Sequence, residues 1–528
     1  MKTLLLLFLS LTLPPSFQQA VLYLSGASCI EDLSEDELQR YQTLASHPAD
    51  LNRSGRSRLL ATGLLSPFQV ASLLDYRTRS GEVLSWTELG LVDGFSHDIV
   101  EALRLFFVLG VQDAPPGRRE DRRFRQTVTL RGGARASGEL AGGLKYEASL
   151  GERADFYWST RTTYSNPRLS PGTISAAWYG KGVVGQVIAG YFNARFGQGL
   201  VQWSGFQLSG YSTVGAFRKN GTGLSPTGSW SADLLGVAAD WNFGAWRLST
   251  AYSFLGNRPI ANLTHTGRRL TAGLTATHQA ASLEARLSLP GWSVFGEAAA
   301  SYQGEIRGLA GAVWTPRYGH RIALLGRWLG TGKQYSGVAA GYGGPALDAT
   351  IDAAWRPDTR SGQYKALVQW HPDYTWLGLA WQPVLRLQGR LRPEDDTPLR
   401  TEARGMLTVL AERWTVAGRY DAVWCRGFAW HWYAEAGYRS GNLSCYLRGG
   451  LFKVDDWEDR IYVYERDAPG SFTVPARYGR GWDASVYAAW TINRHHTVWL
   501  RLETVQYPWN LTEKPGRTEV RVQYRFRM

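Results

Sequence analysis

The sequence predicts a mainly β protein, in which a small all-α domain precedes a large antiparallel transmembrane β-barrel of roughly 18–24 strands. The hydrophobic periodicity changes from the helical period to period two near residue 123 and keeps it to the end of the chain. The composition is rich in glycine (59), tryptophan (23) and tyrosine (26), yet the mean hydropathy is only −0.26. This combination is typical of outer-membrane barrels, because only every second strand residue meets lipid.

The first 20 residues have the features of a secretory signal peptide. They begin with a positive charge, and the apolar stretch "TLLLLFLSLTL" (3–13) is too short to span a bilayer. We therefore predict that residues 1–20 are removed by cleavage near Ala20. The stretch "GASC" (26–29) is also similar to a lipoprotein cleavage site, so lipidation of Cys29 and an incidental cysteine both remain open.

Residues 30–110 have helical periodicity and form the predicted all-α domain. Its first helix–turn–helix pair has Asn52 as the predicted N-cap, Gly63 in the turn and Pro67 at the first position of the second helix. The apolar stripe that follows Pro67 consists of Val70, Leu73 and Leu74.

A second pair repeats this plan downstream. Ser85 and Glu88 have the spacing of a capping box, and Asp93-Gly94 has the composition of a tight turn. The apolar stripe of its last helix consists of Ile99, Val100, Leu103 and Phe106.

Here the chain resembles the competence-type helix-hairpin-helix domain, and its fusion to a barrel is similar to helix-hairpin-helix barrel proteins of the Bacteroidota. The resemblance covers about 60 residues. It is carried by "DLN" (50–52), "LL…G" (59–63), "YR…SG" (76–81), "SWTEL" (85–89) and "VDGFS" (92–96).

In that family, backbone N–H groups of each hairpin bind DNA phosphates, as helix N-termini bind anions. The resemblance implies this role for Gly63, Leu64, Leu65, Gly94, Phe95 and Ser96. This chain departs from the family pattern because each turn lacks the second glycine, and no Lys or Arg directly follows either turn.

The charge of the helical region gives DNA little attraction, since residues 30–112 hold seven basic and twelve acidic side chains. A basic patch is nevertheless conceivable, and DNA binding, docking of a protein partner and plain solvated helix faces all remain open for it. Its members are Arg53, Arg56, Arg58, Arg77 and Arg79.

Residues 111–122, "VQDAPPGRREDR", form a predicted linker, and the barrel follows from residue 123 to residue 528. The last segment, "RTEVRVQYRFRM" (517–528), alternates without an error between apolar and polar residues. The segment "AWHWYAEAGYR" (429–439) has rings at both ends of its apolar face and alanines at the centre, as interfacial girdles require. Segments of about 9–12 residues suit tilted membrane strands better than a soluble sandwich.

We expect an even number of strands near 20, which leaves a lumen too wide for side chains alone to fill. Residues 191–232 lack clean alternation and are either a segment folded into the lumen or a long external loop. Gly197, Gly199 and Gly205 would permit tight backbone paths there.

The remaining chemistry-bearing residues predict no catalytic, metal or cofactor site. The nine histidines show no metal-ligand spacing, and His431 with Glu435 is more simply a hydrated lumen pair than an acid–base couple. Cys425 and Cys445 are two strand spacings apart, about 9.5 Å, which is too far for a disulfide. We therefore expect a protein that is not an enzyme.

Together these features predict a bacterial outer-membrane protein with its helical domain in the periplasm. Three functions remain open: a channel that handles DNA in uptake, a solute channel whose helical domain docks a protein partner, and an assembly factor. Expected partners are outer-membrane lipid, anionic glycolipid, DNA or an envelope protein. A receptor of the energy-coupled type is disfavoured, because about 80 residues are few for its usual plug domain.

Overall fold

A computed structural model describes residues 17–110, 124–205, 210–317, 319–330, 335–356, 358, 361–510 and 512–528. Residues 17–110, which we call the helical module, contain six helices and one short parallel strand pair. These elements are α1 Phe17–Ser25, α2 Glu35–Ser46, β1 Ala49–Asp50, α3 Arg56–Ala61, α4 Pro67–Ser80, α5 Trp86–Leu89, α6 His97–Leu103 and β2 Phe107–Val108. Within the described residues no helix combines the length and the apolar character needed to cross a membrane.

The helices begin where capping residues satisfy their first N–H groups. Ser34 forms a full capping box with Glu37 at α2, and Ser66 forms one with Gln69 at α4, which begins at Pro67 as predicted. Ser85 caps α5 by accepting from the Glu88 N–H, so the predicted start of that helix is confirmed.

The predicted N-cap Asn52 is wrong, because α3 begins only after Gly55. The buried Asn52 amide instead bridges to Val83: its Nδ2 donates to the Val83 carbonyl and its Oδ1 accepts from the Val83 N–H, both at 2.9 Å. Because a side-chain amide has both a donor and an acceptor, it can pair with the backbone of a neighbouring segment as readily as it can cap a helix. It ties the segment before α5 to the segment before α3.

Apolar residues from all six helices form the core of the module. Tyr41 and Phe106 lie at its centre with ring centroids 5.4 Å apart. The predicted stripes are confirmed: Val70, Leu73, Val100, Leu103 and Phe106 are buried, and Leu74 and Ile99 pack against them.

The rest of the described chain is dominated by antiparallel strands of up to 13 residues. In chain order they are β3 Phe124–Arg135, β4 Leu140–Leu150, β5 Ala154–Arg161, β6 Thr173–Tyr179, β7 Val184–Arg195, β8 Gly223–Pro226, β9 Leu234–Phe243, β10 Trp246–Ser253, β11 Arg258–Thr266, β12 Leu270–Thr277, β13 Ala280–Leu289, β14 Trp292–Ser301, β15 Ile306–Arg317, β16 His320–Trp328, β17 Ser336–Gly343, β18 Leu347–Trp355, β19 Gly362–Trp370, β20 Tyr374–Trp376, β21 Leu379–Leu391, β22 Leu399–Leu410, β23 Trp414–Trp424, β24 Phe428–Ser440, β25 Leu443–Val454, β26 Ile461–Tyr462, β27 Ala476–Arg477, β28 Gly479–Thr491, β29 His496–Gln506 and β30 Arg517–Arg527.

Within the described residues, 24 of these strands form one closed barrel in which each strand pairs with the next along the chain. The ring closes where β30 pairs with β3, for example Phe526 opposite Val128. The short strands β8 and β20 only extend neighbouring strands, and β26 pairs with β27 apart from the barrel. The prediction of a closed barrel is confirmed, at the upper end of the predicted range.

The predicted alternation separates an apolar outer surface from a polar lumen. On β24, Trp432 is 44% exposed to the outside, whereas His431, Tyr433 and Glu435 point inward and are buried. β30 follows the same rule. An apolar outer band with aromatic rings at the strand ends is what a bilayer requires of a barrel.

The two ends of the barrel differ in the length of their connections. At the end where β3 begins, hairpins such as 151–153, 244–245 and 441–442 are short, and we call this the turn end. At the opposite loop end, connections include 162–172 and 455–478. Membrane barrels have short turns on the periplasmic side and long loops outside.

Residues 196–205 and 210–222, within the region that lacked alternation, follow the folded-in alternative. Val214 and Phe217 are buried against inward-facing Phe295, Ala323 and Leu325 of the wall. Positive φ angles of 59°, 84° and 86° at Gly197, Gly199 and Gly205 confirm the tight backbone path.

Two further expectations concern the linker and the cysteines. The predicted linker 111–122 lies outside the described residues. Cys425 and Cys445 are free, as expected, and lie near opposite ends of the barrel.

Candidate functional site

The lumen of the barrel is the candidate functional site, because three segments of the chain meet in it. They are the helical module, inner loop A (residues 196–205 and 210–222) and inner loop B (residues 455–478). Both loops enter from the loop end, whereas the module also contacts the turn end. The sequence predicts that the helical domain lies in the periplasm, and in the structure it packs against the inward face of the wall.

Glu31, which lies before α2, contacts the inward face of the wall. Glu31 accepts hydrogen bonds from Arg419 of β23 and from Arg404 of β22, the latter at 3.5 Å. Asp421, directly opposite Arg404 in the sheet, accepts from both arginines at 2.6–2.7 Å. Inner loop B joins this cluster, because the Tyr464 N–H donates to Glu31 at 3.1 Å.

Glu31 stays ionised although it is buried. Burial alone would raise the pKa of its carboxyl, but Arg419 and Arg404 outweigh that effect and hold the pKa well below its ordinary value. The sequence shows that residues 30–112 carry more acidic than basic side chains, but only the fold shows that this region is inserted into the barrel.

Cys29 lies beside this cluster. The Nη1 of Arg386 on β21 is 2.9 Å from its Sγ, and burial raises the pKa of the thiol to about 12.

The first predicted hairpin turn is covered by the module itself. A Cβ on Gly63 would come within 2.6 Å of Nη1 of Arg40 on α2. The Gly63 N–H donates to the Leu60 carbonyl at 2.9 Å, and that of Leu64 donates to Thr62 at 3.4 Å. Leu65 is fully buried.

The second predicted turn is also engaged within the chain. The Gly94 carbonyl accepts from Gln69 at 2.9 Å, and the Phe95 N–H donates to Val92 at 3.0 Å. Ser96 caps α6 by accepting from the Ile99 N–H at 3.5 Å. Gly63 and Gly94 do adopt the positive φ angles expected of hairpin turns, 74° and 90°.

The five arginines of the predicted basic patch each engage an acceptor of this chain. Arg56 donates to the Gly244 carbonyl at 2.8 Å, and Arg58 pairs with Glu152 at 3.4 Å and with Asp155, so both hold α3 against the turn end of the barrel. The other three arginines have partners within the module. Arg53 pairs with Asp50 at 3.5 Å, and Arg79 pairs with Asp75 at 3.0 Å. Arg77 donates to the Leu51 and Ser54 carbonyls at 3.2 and 2.8 Å.

Inner loop A is held between the wall and the module. Glu297 of β14 accepts from the N–H groups of Gln198 and Leu200 at 2.6 and 3.3 Å. At its other end, the Thr213 hydroxyl donates to the Gly26 carbonyl at 2.6 Å. Gly26 lies so close to Gly215 that an added Cβ would be 2.6 Å from the Gly215 carbonyl carbon.

Inner loop B is tied to the wall by buried ion pairs that no local pattern revealed. Glu465 pairs with Arg477 within the loop and with Arg501 of β29, and Arg501 also pairs with Glu503 at 3.0 Å. Arg466 of the loop pairs with Glu435 at 2.8 Å. Of these residues, Glu435 belongs to the predicted wet face of its strand.

His431 and Glu435 do not form a couple. His431 is fully buried, with Nε2 3.4 Å from Asp483, while Glu435 is paired with Arg448 at 2.7 Å. Among the described residues no cluster of His, Cys, Asp and Glu has the arrangement of a metal site.

No protein-family model and no curated protein matches the chain. Among solved structures it is similar to the translocation pore of the P pilus usher PapC (9% identity over 77% of this chain and 99% of that one, TM-score 0.39). It is also similar to OprD of Pseudomonas aeruginosa (8%, 78% and 95%, TM-score 0.34) and to the copper transporter OprC (10%, 78% and 81%, TM-score 0.40).

The strand pairing and outer surface of this chain define its class as an outer-membrane-type β-barrel. Within that class, its lumen is occupied by its own N-terminal module and by two loops from the opposite end.

Proposed function

We propose that the protein is a gated outer-membrane channel for small solutes, and that the helical module is its plug. The observation that carries this proposal is the position of Glu31, which reaches from the module to Arg404 and Arg419 on the inward face of the wall. A segment in that position obstructs the path through the barrel.

The width of the barrel supports a plugged channel. Barrels of 16–18 strands already enclose an aqueous channel, and those of about 22 strands hold a plug. A ring of 24 strands, counted within the described residues, is at least as wide. The chain fills that space with the module and the inner loops.

The chemistry of the interface supports a plug that can be released. Its ties include the Glu31 cluster, the contacts of Arg56 and Arg58, and the bond from the Gly470 N–H to Gln42 at 2.5 Å. Polar groups can exchange such partners for water on opening, so the net cost per tie is modest compared with that of exposing an apolar core.

DNA handling and docking of an envelope protein remain predictions that rest on the family resemblance. The arginines expected to meet phosphate engage acceptors of this chain, and the N–H groups of Gly63, Leu64 and Phe95 donate internally. These contacts favour a plug over a DNA-binding module.

Replacing Glu31 tests the proposal directly. In Glu31→Gln the two wall arginines lose one of their two carboxylate partners, and breaking a buried pair costs about 3–5 kcal/mol. We expect the full-length wild-type protein in planar bilayers to stay mostly closed, and E31Q to raise the open fraction at least tenfold.

Asp75→Asn is the matched control, because it also turns a module carboxylate into an amide. Asp75 pairs with Arg79 on the exposed side of α4, where such pairs are worth less than about 1 kcal/mol. D75N should conduct like the wild type. A wild-type protein that is as open as E31Q would exclude the module as the plug.

A further inference from the structure

A cavity of about 260 Å³ lies inside the barrel between the wall, the module and inner loop B. Its wall side is formed by the strands around the seam where β30 meets β3. Glu35 and Gln39 of α2 face it from the module, and Phe472 faces it from inner loop B. The connection 162–172 contributes to its rim, so it lies toward the loop end.

The cavity exists because small residues replace larger side chains on the inward face of two neighbouring strands. Gly133 on β3 and Ala141 and Gly143 on β4 line it, and Gly133 pairs with Ala141 across the strands. Inward positions of a wide barrel otherwise carry long polar side chains, such as Arg135 and Glu147 on the same strands. The wall is therefore recessed at this point.

Two arginines flank the recess at paired positions on neighbouring strands; we call these positions the Arg131–Gly143–Arg161 row. Gly143 pairs with Arg131 on one side and with Arg161 on the other, and both arginines line the cavity. Neighbouring strands lie about 4.8 Å apart, so the two arginine Cα atoms are separated by about 10 Å with a side-chain-free position between them. Two guanidinium groups can converge across such a gap on one anionic group.

Among the described residues, neither guanidinium group forms a close ion pair. Arg131 donates to the Gln523 side chain at 2.7 Å and to the Pro469 carbonyl at 3.1 Å, and Arg161 lies over the Trp230 ring at 4.8 Å. Among the described residues no carboxylate oxygen lies within 4.0 Å of either one.

The other cations of the cavity are neutralised by neighbours. Lys145 pairs with Glu147 at 2.8 Å, and Arg501 pairs with Glu503 at 3.0 Å. Arg521 pairs at 2.6 Å with Asp467, the acidic residue of inner loop B that lines the cavity. The positive charge without a close ion pair is therefore concentrated at the Arg131–Gly143–Arg161 row, and Glu35 faces the cavity from the module and interacts with Arg131 electrostatically.

We propose that this cavity binds a small organic anion. Its carboxylate or phosphate group binds between Arg131 and Arg161, and its carbon skeleton packs against Trp230 and Phe472. Arginine provides paired N–H donors that match the oxygens of these groups, and aromatic rings provide the apolar surface. This inference adds a ligand site to the channel, and binding there requires no movement of the plug.

Calorimetric titration of the full-length protein in detergent tests the site, with benzoate as the anionic probe and benzamide as its uncharged counterpart. We expect saturable binding of benzoate at one site and at least tenfold weaker binding of benzamide. Arg131→Gln and Arg161→Gln should each weaken benzoate binding at least tenfold, because each removes one charged donor pair.

Arg168→Gln is the matched control, since Arg168 is exposed in the connection 162–172 and carries the same charge. R168Q should bind benzoate like the wild type. A second variant, Gly143→Val, fills the recess without changing charge and should abolish binding even if an arginine variant folds poorly.

Equal affinity for benzoate and benzamide, absence of saturable benzoate binding, or unchanged binding in both arginine variants would overturn the site. The titration measures no conductance, so its failure is distinguishable from failure of the gating proposal. A protein that binds benzoate but never opens would retain this site and lose the proposed channel function.

Discussion

Single residues at the boundary between module and wall determine how firmly the module is held. His47, just after α2, has its Nε2 3.2 Å from the Thr127 hydroxyl of β3. Burial, together with Arg527, Arg525 and Arg125 and against the opposing effect of Glu147, lowers the pKa of His47 to about 4. The imidazole is therefore neutral where it docks.

A neutral docked histidine makes the plug sensitive to acid. Once the module leaves the wall, the pKa of His47 returns toward its ordinary value of 6.5. Between pH 6.5 and 4, a released module therefore binds a proton at His47, whereas a docked module does not. The contribution of His47 to the docking free energy is fully present above pH 6.5. It decreases by up to about 3 kcal/mol as the pH falls toward 4.

We expect the open fraction in planar bilayers to rise by at least tenfold between pH 7 and pH 4.5, and His47→Gln to flatten this dependence. His278→Gln is the control, because His278 is exposed in a hairpin at the loop end. The Glu31 cluster should contribute little in this range, because the depressed pKa of Glu31 keeps its carboxylate charged. A pH profile that H47Q leaves unchanged would exclude His47 as its origin.

At the scale of whole elements, strands and helices could be predicted because their signals are local. The alternation of "RTEVRVQYRFRM" is sufficient to fix which side of β30 meets lipid, and Pro67 with Ser66 fixes the start of α4. Asn52 misled the prediction because its partner, Val83, lies 31 residues away. The rule that predicts N-caps uses only neighbouring residues, so it cannot identify such a partner.

The inner loops and the seat of the module could not be predicted for a related reason. Glu31 meets Arg419 across 388 residues, and Gly26 meets Thr213 across 187. Period two shows that a lumen face is polar, but water, a loop and a helical module all satisfy a polar face. Contacts between residues that are far apart in the sequence determine which of them fills the lumen.

The contact between the module and inner loop A provides a test at this scale. A Cβ in Gly26→Ala would meet the backbone of Gly215 and Ala216 at 2.6–2.7 Å, and such overpacking costs about 1–3 kcal/mol. We expect G26A to release inner loop A and to speed tryptic cleavage at Arg218 or Lys219 at least tenfold. Gly81→Ala has a similar positive φ, 90°, but meets nothing within 4 Å, so it should leave cleavage unchanged. Equal acceleration in both variants would mean that backbone strain, rather than the contact, opens the loop.

At the scale of the whole molecule, the two ends of the barrel differ in the length of their connections, and Arg56 and Arg58 anchor the module at the turn end. Because membrane barrels have short turns on the periplasmic side, we propose that the turn end faces the periplasm. The inner loops and the arginine-lined cavity belong to the loop end. A solute from outside would therefore meet the cavity before it meets the plug.

This orientation can be measured in intact cells that express the protein with Cys29, Cys425 and Cys445 replaced by serine. Gln303 is exposed in a hairpin at the loop end, and Arg268 is exposed in a hairpin at the turn end. We expect a membrane-impermeant maleimide to label Gln303→Cys in intact cells and Arg268→Cys only after the outer membrane is permeabilised. Both sites are equally open in the folded chain, so the difference reports the membrane alone. The reverse pattern would place the plug on the outer side and make the cavity accessible only from the periplasm.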